Sequence, residues 1–495
     1  MATEPAECGK LEQHLQVLGR SLDRFLTFQH PDAMHEPARW RSALERRLPD
    51  TGIGIDAVME EMTHYVIPNG SAFPNPGSTA FITTGATTIS ALATLAGAVA
   101  SPQRLSLNAF NFLEAQSLNW LAQLFRLPAD MQGLYTSGGS VANLVALGAA
   151  RQRAFEDVGV DPARQGVEHR TRVFASEESH HSILRACAVL GLGRDALVPI
   201  PCDAQGRMRT ELLAQTLEAC EDLPVAIVGN LGTTNAGAID PIIELARIAR
   251  ENRVWLHLDG AYGLPGMLDP DVRPLFDGLE WADSVVVDPH KWLGAPVGIG
   301  AVFVRDRALL QRAFTQEAAA YYEGSLSDDA EHSMNHMGIP YSDMGIELSA
   351  PSRGAVVWAL LREIGVAGLA ARIQRHNAMA RWLAEQVQAD PHLELLRTPR
   401  LSICCFRYVD ERIEQTDELN RQLHHRLLHN NRNLPSTTLI DGKLALRPCF
   451  IGARTGWPQV QALLEEVRET GAALARQWTS PSARDRPERT RRSRS

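Results

Sequence analysis

The chain has 495 residues, 44% of them hydrophobic and 22% charged, which is the balance of an ordinary globular protein. Its formal net charge is −9, with no basic stripe, which argues against nucleic acid as the main partner. A chain of this length buries enough core to need neither disulfides nor a structural metal. The seven cysteines (8, 187, 202, 220, 404, 405 and 449) are odd in number, scattered and without a Cys-x-x-Cys, so they suit a reducing cytoplasm.

Met1 to Lys10 holds two glutamates and no apolar run, which does not match a signal peptide. Residues 1–75 read as a polar helical segment, with Leu15, Leu18, Leu22 and Phe25 at helix spacing. Residues 80–100 are weakly apolar for about the length of a membrane span. Five threonines, a serine and two glycines in that stretch predict a buried helix instead, and no membrane association. From 76 to 350, helical stretches alternate with short apolar runs at 172–175, 225–228, 254–258, 284–287 and 300–304. That alternation predicts an α/β domain around a mostly parallel sheet covered on both faces. A long helix follows around 347–365, with Trp358, Leu361 and Ile364 on one side. Residues 351–478 form a smaller α+β domain, with strand candidates at 402–408 and 444–450 and a last helix at 460–475. Residues 479–495 are rich in Ser, Arg, Asp and Pro and predict a disordered tail.

In open parallel sheets, ligands bind beyond the carboxyl ends of the strands, so the residues that follow each apolar run are the ones to inspect. Ser176 to Ser182, with His180 and His181, follows the run at 172–175. Gly232-Thr233-Thr234-Asn235 follows 225–228, Asp259-Gly260-Ala261 follows 254–258, and Asp288-Pro289-His290-Lys291-Trp292 follows 284–287. Ser137-Gly138-Gly139-Ser140 precedes a helix. Singly these are ordinary features: a helix-capping Asp, a surface Lys, a turn, a structural His pair. Zinc lacks a completing His or Cys set. Together at strand ends they match the needs of pyridoxal 5′-phosphate. Its aldehyde takes the amine of Lys291, its pyridine nitrogen takes Asp259, and its flat ring lies between His180 and Ala261. Its phosphate suits the amides at Gly139-Ser140.

Three groups of residues carry a resemblance to a known family. They are Asp283-Ser284 with Asp288-Pro289-His290-Lys291-Trp292, His257-Leu258-Asp259-Gly260-Ala261-Tyr262, and Leu231-Gly232-Thr233-Thr234 with Ser179-His180. On these the chain resembles the group II pyridoxal-phosphate amino-acid decarboxylases, which include the aromatic-L-amino-acid, glutamate and cysteine-sulfinate decarboxylases. The resemblance runs from about residue 75 to 365 and more loosely to about 471. It implies fold type I, aspartate-aminotransferase-like, with a seven-stranded large sheet and a smaller C-terminal domain. It implies a homodimer with active sites at the subunit interface.

The family pattern makes Lys291 the Schiff-base lysine, Asp259 the partner of the ring nitrogen, His180 the stacking residue, and Ala261 the opposite face. Thr234 lies near the ring hydroxyl, and Gly139, Ser140 and His290 bind phosphate. Many relatives have Asn where this chain has Asp288, and an ionised Asp cannot donate to phosphate. A loop tyrosine protonates Cα in the family, and here Tyr321 and Tyr322 compete for that role, with Tyr322 favoured. Phe81 and Thr84 correspond to a segment lining the substrate pocket. Arg447 either grips the substrate carboxylate or bridges the two domains. With no extra arginine in the apolar segment around Phe81, the expected substrate is an aromatic or other apolar L-amino acid. Decarboxylation of an acidic amino acid, or aldehyde synthesis on the same scaffold, is the alternative. A non-catalytic homologue has no need for Lys291, Asp259 and His180 together.

Overall fold

The computed structural model describes residues 11–28, 37–101, 109–315 and 341–479. The expected tail from 480 onward and both candidate tyrosines, Tyr321 and Tyr322, lie outside them.

Twelve strands are described. They are β1 (Ser78–Thr79), β2 (Gln132–Thr136), β3 (Thr171–Ser176), β4 (Leu197–Ile200), β5 (Leu223–Asn230), β6 (Trp255–Asp259), β7 (Ser284–Val287), β8 (Gly300–Val304), β9 (Leu393–Arg397), β10 (Cys405–Tyr408), β11 (Leu434–Ile440) and β12 (Lys443–Arg447). Seven form the large sheet in the order β2-β8-β7-β6-β5-β3-β4. Only β8 runs against the others, pairing antiparallel with both β2 and β7. β6 and β7 are buried along their whole length, as strands covered on both faces must be. This is the fold expected of the sequence.

The helix Gly139–Glu156 packs against the sheet. Every residue from Ala142 to Ala150 is buried, and its small side chains permit close approach to β5, β6, β7 and β8. On the periphery, Ile242–Asn252 buries Ile242, Leu245, Ala246, Ile248 and Ala249 as one helical stripe. The weakly apolar stretch becomes the helix Thr88–Ala100, packed against the long helix Arg353–Gln388. That long helix breaks at Gly365, where φ is 65°.

The second sheet has the order β1-β11-β12-β10-β9 and covers a separate core around Phe406, Phe450, Leu423 and Leu463. Its edge strand comes from the other end of the chain. Ser78 and Thr79 pair in parallel with Leu434 and Pro435, so the small domain's sheet takes in a strand from within the span, 76–350, expected for the large domain.

Candidate active site

The carboxyl ends of β3, β5, β6 and β7 open onto a cavity of about 280 Å³. Gly139, Ser140, His180, Thr234, Asp259, Ala261, Asp288, His290 and Lys291 all line it. These are all nine residues that the sequence assigned to the cofactor, and four strands and one helix start bring them together.

Lys291 sits in a tight turn after β7. The turn spans Pro289–Leu293, and the backbone departs from helical geometry at Lys291 itself (φ −93°, ψ −107°). Its Nζ lies 3.1 Å from Asp288 Oδ2. Asp288 is 1% exposed, and its Oδ1 has no hydrogen-bond partner among the described residues. The aspartate that cannot donate to a phosphate therefore holds the lysine amine. His290 Nδ1 lies 2.7 Å from the Ile299 carbonyl, so that nitrogen carries the proton, and Nε2 is 3.8 Å from Asp288. Behind the lysine, Trp292 is fully buried. It stacks on Tyr262 at 5.3 Å, and its Nε1 donates to His376 Nδ1 at 3.0 Å. The Tyr262 hydroxyl meets Ser402 Oγ at 2.7 Å, which ties the turn to the small domain. Burial pushes His376 down to about 3, so it is neutral and free to accept.

Asp259 ends β6 and is 7% exposed. Its Oδ2 accepts from Asn143 Nδ2 at 2.8 Å and its Oδ1 from the Ala261 amide at 3.0 Å. His180 Nδ1 lies 2.8 Å from Ser182 Oγ, and burial lowers this histidine's pKa while Asp259 opposes the shift. At the end of β5, Asn230 Nδ2 reaches Ser179 Oγ (3.1 Å) and Asp240 Oδ2 (2.8 Å). Burial pushes Asp240 up to about 6, against N–H donors from Met208 and Asn230. Asn143 and Asn230 were not singled out from sequence, and Ser182 and His257 appeared there only within longer runs, with no role of their own. The signal existed for His257, which shares a strand face with Asp259 at the two-residue period.

Three assigned substrate residues do not line the cavity. Phe81 is 60% exposed and meets Phe73 edge-to-face at 6.0 Å. Thr84 is buried and donates to the Gly85 carbonyl at 3.3 Å. Arg447, 5% exposed, donates to the carbonyls of Thr234 and Asn235 (2.9 Å to the latter) and to Ser436 Oγ at 3.3 Å. Of the two readings open for Arg447, the geometry gives the bridge between domains, because its guanidinium is committed to the turn after β5.

The pyridoxal-dependent decarboxylase conserved domain matches residues 37–409. The chain belongs to that family. It is a pyridoxal-phosphate enzyme of the carboxy-lyase class. The chain is 32% identical to an aromatic-L-amino-acid decarboxylase of Bacillus atrophaeus over 72% of this chain and 73% of the relative. It is 30% identical to an L-2,4-diaminobutyrate decarboxylase of Rhizobium meliloti, over 88% and 86%. The crystal structure of Catharanthus roseus tryptophan decarboxylase in complex with L-tryptophan shares the fold. Its TM-score is 0.84 at 23% identity, covering 95% of this chain and all of that one.

The residues present fit the family's cofactor. Gly138 caps the helix Gly139–Glu156 at φ 134° with no side-chain cap, so no side chain competes for its first amides. A Cβ at Gly139 would lie 2.6 Å from Asp288 Oδ2, so only glycine lets this turn close over the lysine's partner. At the other end, each Asp259 oxygen holds one donor and keeps lone pairs for the ring nitrogen. When bound, pyridoxal phosphate supplies an aldehyde for an amine and a protonated ring that accepts the electron pair left by departing carbon dioxide. The chain's own contributions surround that chemistry. Lys291 offers the amine, Asp259 keeps a negative charge where the ring needs its proton, and His180 and Ala261 wall the cavity. The Ser137–Ser140 turn presents backbone amides to an anion.

Proposed function

We propose that this decarboxylase acts on an L-amino acid with an aromatic or other apolar side chain, releasing carbon dioxide and the amine, and that it does so as a homodimer. The observation that carries the substrate reading is the charge of the wall. Among the described residues that line the cavity, Lys291 is the only lysine or arginine. Arg447 is committed to backbone carbonyls, and burial pulls His180 toward the neutral form. A substrate with a second carboxylate needs a second cation to replace its lost hydration, and the described lining residues offer no second lysine or arginine. The aromatic specificity named for the Bacillus relative supports the same reading.

The dimer reading is supported by exposed apolar residues, one of them in the wall of the cavity. Val297, which lines it, is 74% exposed, and Phe81, Leu92, Val99 and Phe112 are 57–65% exposed. Exposed apolar surface of this kind marks an interaction site. The test is a panel of L-tryptophan, L-phenylalanine, L-tyrosine, L-glutamate, L-aspartate and L-2,4-diaminobutyrate, read for carbon dioxide and product, with light scattering for mass. Turnover of an aromatic substrate to its amine by a dimer is expected. Preference for glutamate, or an aldehyde product, would overturn the substrate or reaction reading, and a monomeric mass would overturn the dimer.

A further inference from the structure

Asn143 belongs to no motif, yet its amide touches three groups of the site. It lies on the helix Gly139–Glu156 and is 1% exposed. Nδ2 is 2.8 Å from Asp259 Oδ2 and 2.9 Å from Ser182 Oγ, while Oδ1 is 2.9 Å from His257 Nε2. A carboxylate only accepts, so the amide nitrogen must face Asp259, and this fixes the orientation of the side chain. Its oxygen, which can only accept, then requires a proton on His257 Nε2.

The rest of the chain of contacts follows from that orientation. Burial pushes His257 down to about 4, so its ring is neutral and Nδ1 is bare. Bare Nδ1, 2.9 Å from Ser284 Oγ, accepts from that hydroxyl. The Ser284 oxygen in turn accepts from Trp255 Nε1 at 2.8 Å, and an indole N–H can only donate. In the other direction, Ser182 Oγ accepts the second N–H of Asn143, which leaves its own proton for His180 Nδ1 at 2.8 Å. An independent observation agrees: the Ser182 backbone N–H donates to the same Nδ1 at 3.3 Å. All donors therefore run one way, from Trp255 through Ser284, His257, Asn143 and Ser182 to His180. A fully satisfied buried network of this kind holds one arrangement.

We propose that Asn143 is a positioning residue: through Ser182 it holds His180 as the tautomer protonated on Nε2, and with its other N–H it aims the Asp259 carboxylate. The nitrogen that His180 has left for the cavity is then an N–H donor, matched to an anion such as a substrate carboxylate and unable to act as a base. Asn143 thus couples the residue that serves the ring nitrogen to the one that walls the ring.

The inference rests on the cofactor assignment and is independent of which amino acid is the substrate. Its test therefore uses the holoenzyme without substrate. Full-length protein labelled with 15N-histidine would be examined by NMR, with His180→Gln identifying the His180 signals. Nε2 is expected as the protonated, pyrrole-type nitrogen and Nδ1 as the bare, pyridine-type one. Ser182→Ala should move the His180 signals toward a tautomer mixture while leaving the dissociation constant for pyridoxal phosphate within about 2-fold. Asn143→Leu should both disturb the tautomer and raise that constant by about 10-fold or more. A His180 protonated on Nδ1 in the wild type, or an unchanged cofactor affinity in folded Asn143→Leu, would overturn the proposal. If Asn143→Leu does not fold, the wild-type tautomer and its change in Ser182→Ala decide the matter. Failure to decarboxylate any amino acid in the panel would count against the substrate reading and leave these signals untouched.

Discussion

Asn143 and Asp259 at the floor of the cavity, with His257 and Ser284 behind them, are at most 7% exposed, and each is held by hydrogen bonds to its neighbours. At the rim, Val297 is 74% exposed, and Phe81, which does not line the cavity, is 60% exposed. These floor contacts are made within one chain, and cofactor chemistry needs such fixed donors and acceptors. The rim is left open, and there the chain exposes apolar surface. Chemistry and selectivity therefore sit in regions of different rigidity, and substitutions should separate them.

The largest expected effect is at the floor. Lys291→Ala should lose the visible absorption band of bound cofactor and lower kcat by about 10³-fold or more, read by spectroscopy and carbon dioxide release. Asp259→Asn keeps the shape and removes the charge, and should lower kcat by about 10²–10³-fold with little change in KM. If KM for the amino acid rises as much as kcat falls, the floor and rim are not separable. Between the regions stands Arg447. Arg447→Met should lower stability by about 3 kcal/mol in thermal or urea unfolding, because buried carbonyls lose a charged donor, while KM stays within about 2-fold. A large KM change would return Arg447 to the substrate.

His376 sharpens the contrast through pH. Its value falls from 6.5 in the unfolded chain to about 3 in the native one. Between pH 6.5 and 3 the unfolded chain binds a proton that the native state does not. Stability therefore falls as pH drops through that window, by up to about 1.4 kcal/mol per unit. His376→Phe should flatten this limb in unfolding measured across pH. The smallest effect belongs to the rim. Val297→Ser should raise KM by about 2- to 5-fold, with the cofactor band unchanged.

The strand ends were legible because β-branched runs such as Ser284–Val287 are unambiguous, and the chemistry follows them in sequence. β2 and β4 left no comparable trace: Gly133 interrupts one, and the other has only four residues, one of them Pro199. In the small domain, Pro435 hid β11, since proline within an apolar run argues against a strand. The helix-borne part of the site was hidden for another reason. Asn143 is a lone polar residue among Ala, Val and Leu, and its meaning depends on β6 arriving beside it. Arg447 could be read either way, because a guanidinium serves a substrate or a carbonyl equally well until the Thr234–Asn235 turn is placed against it.

The pairing of Ser78–Thr79 with Leu434–Pro435 bears on how the protein is made. Gly77 lies so close to Arg432 that a Cβ there would fall 2.1 Å from its carbonyl oxygen, so the two segments are intimately joined. On the ribosome, the early segment emerges first and must wait for several hundred residues before its partner strand appears. The intervening sheet can fold in that interval. A nascent chain halted before residue 434 would carry the lysine and its aspartate on a finished platform, yet leave the 78–79 strand without a partner. That clasp can close only after Leu434 and Pro435 have been made.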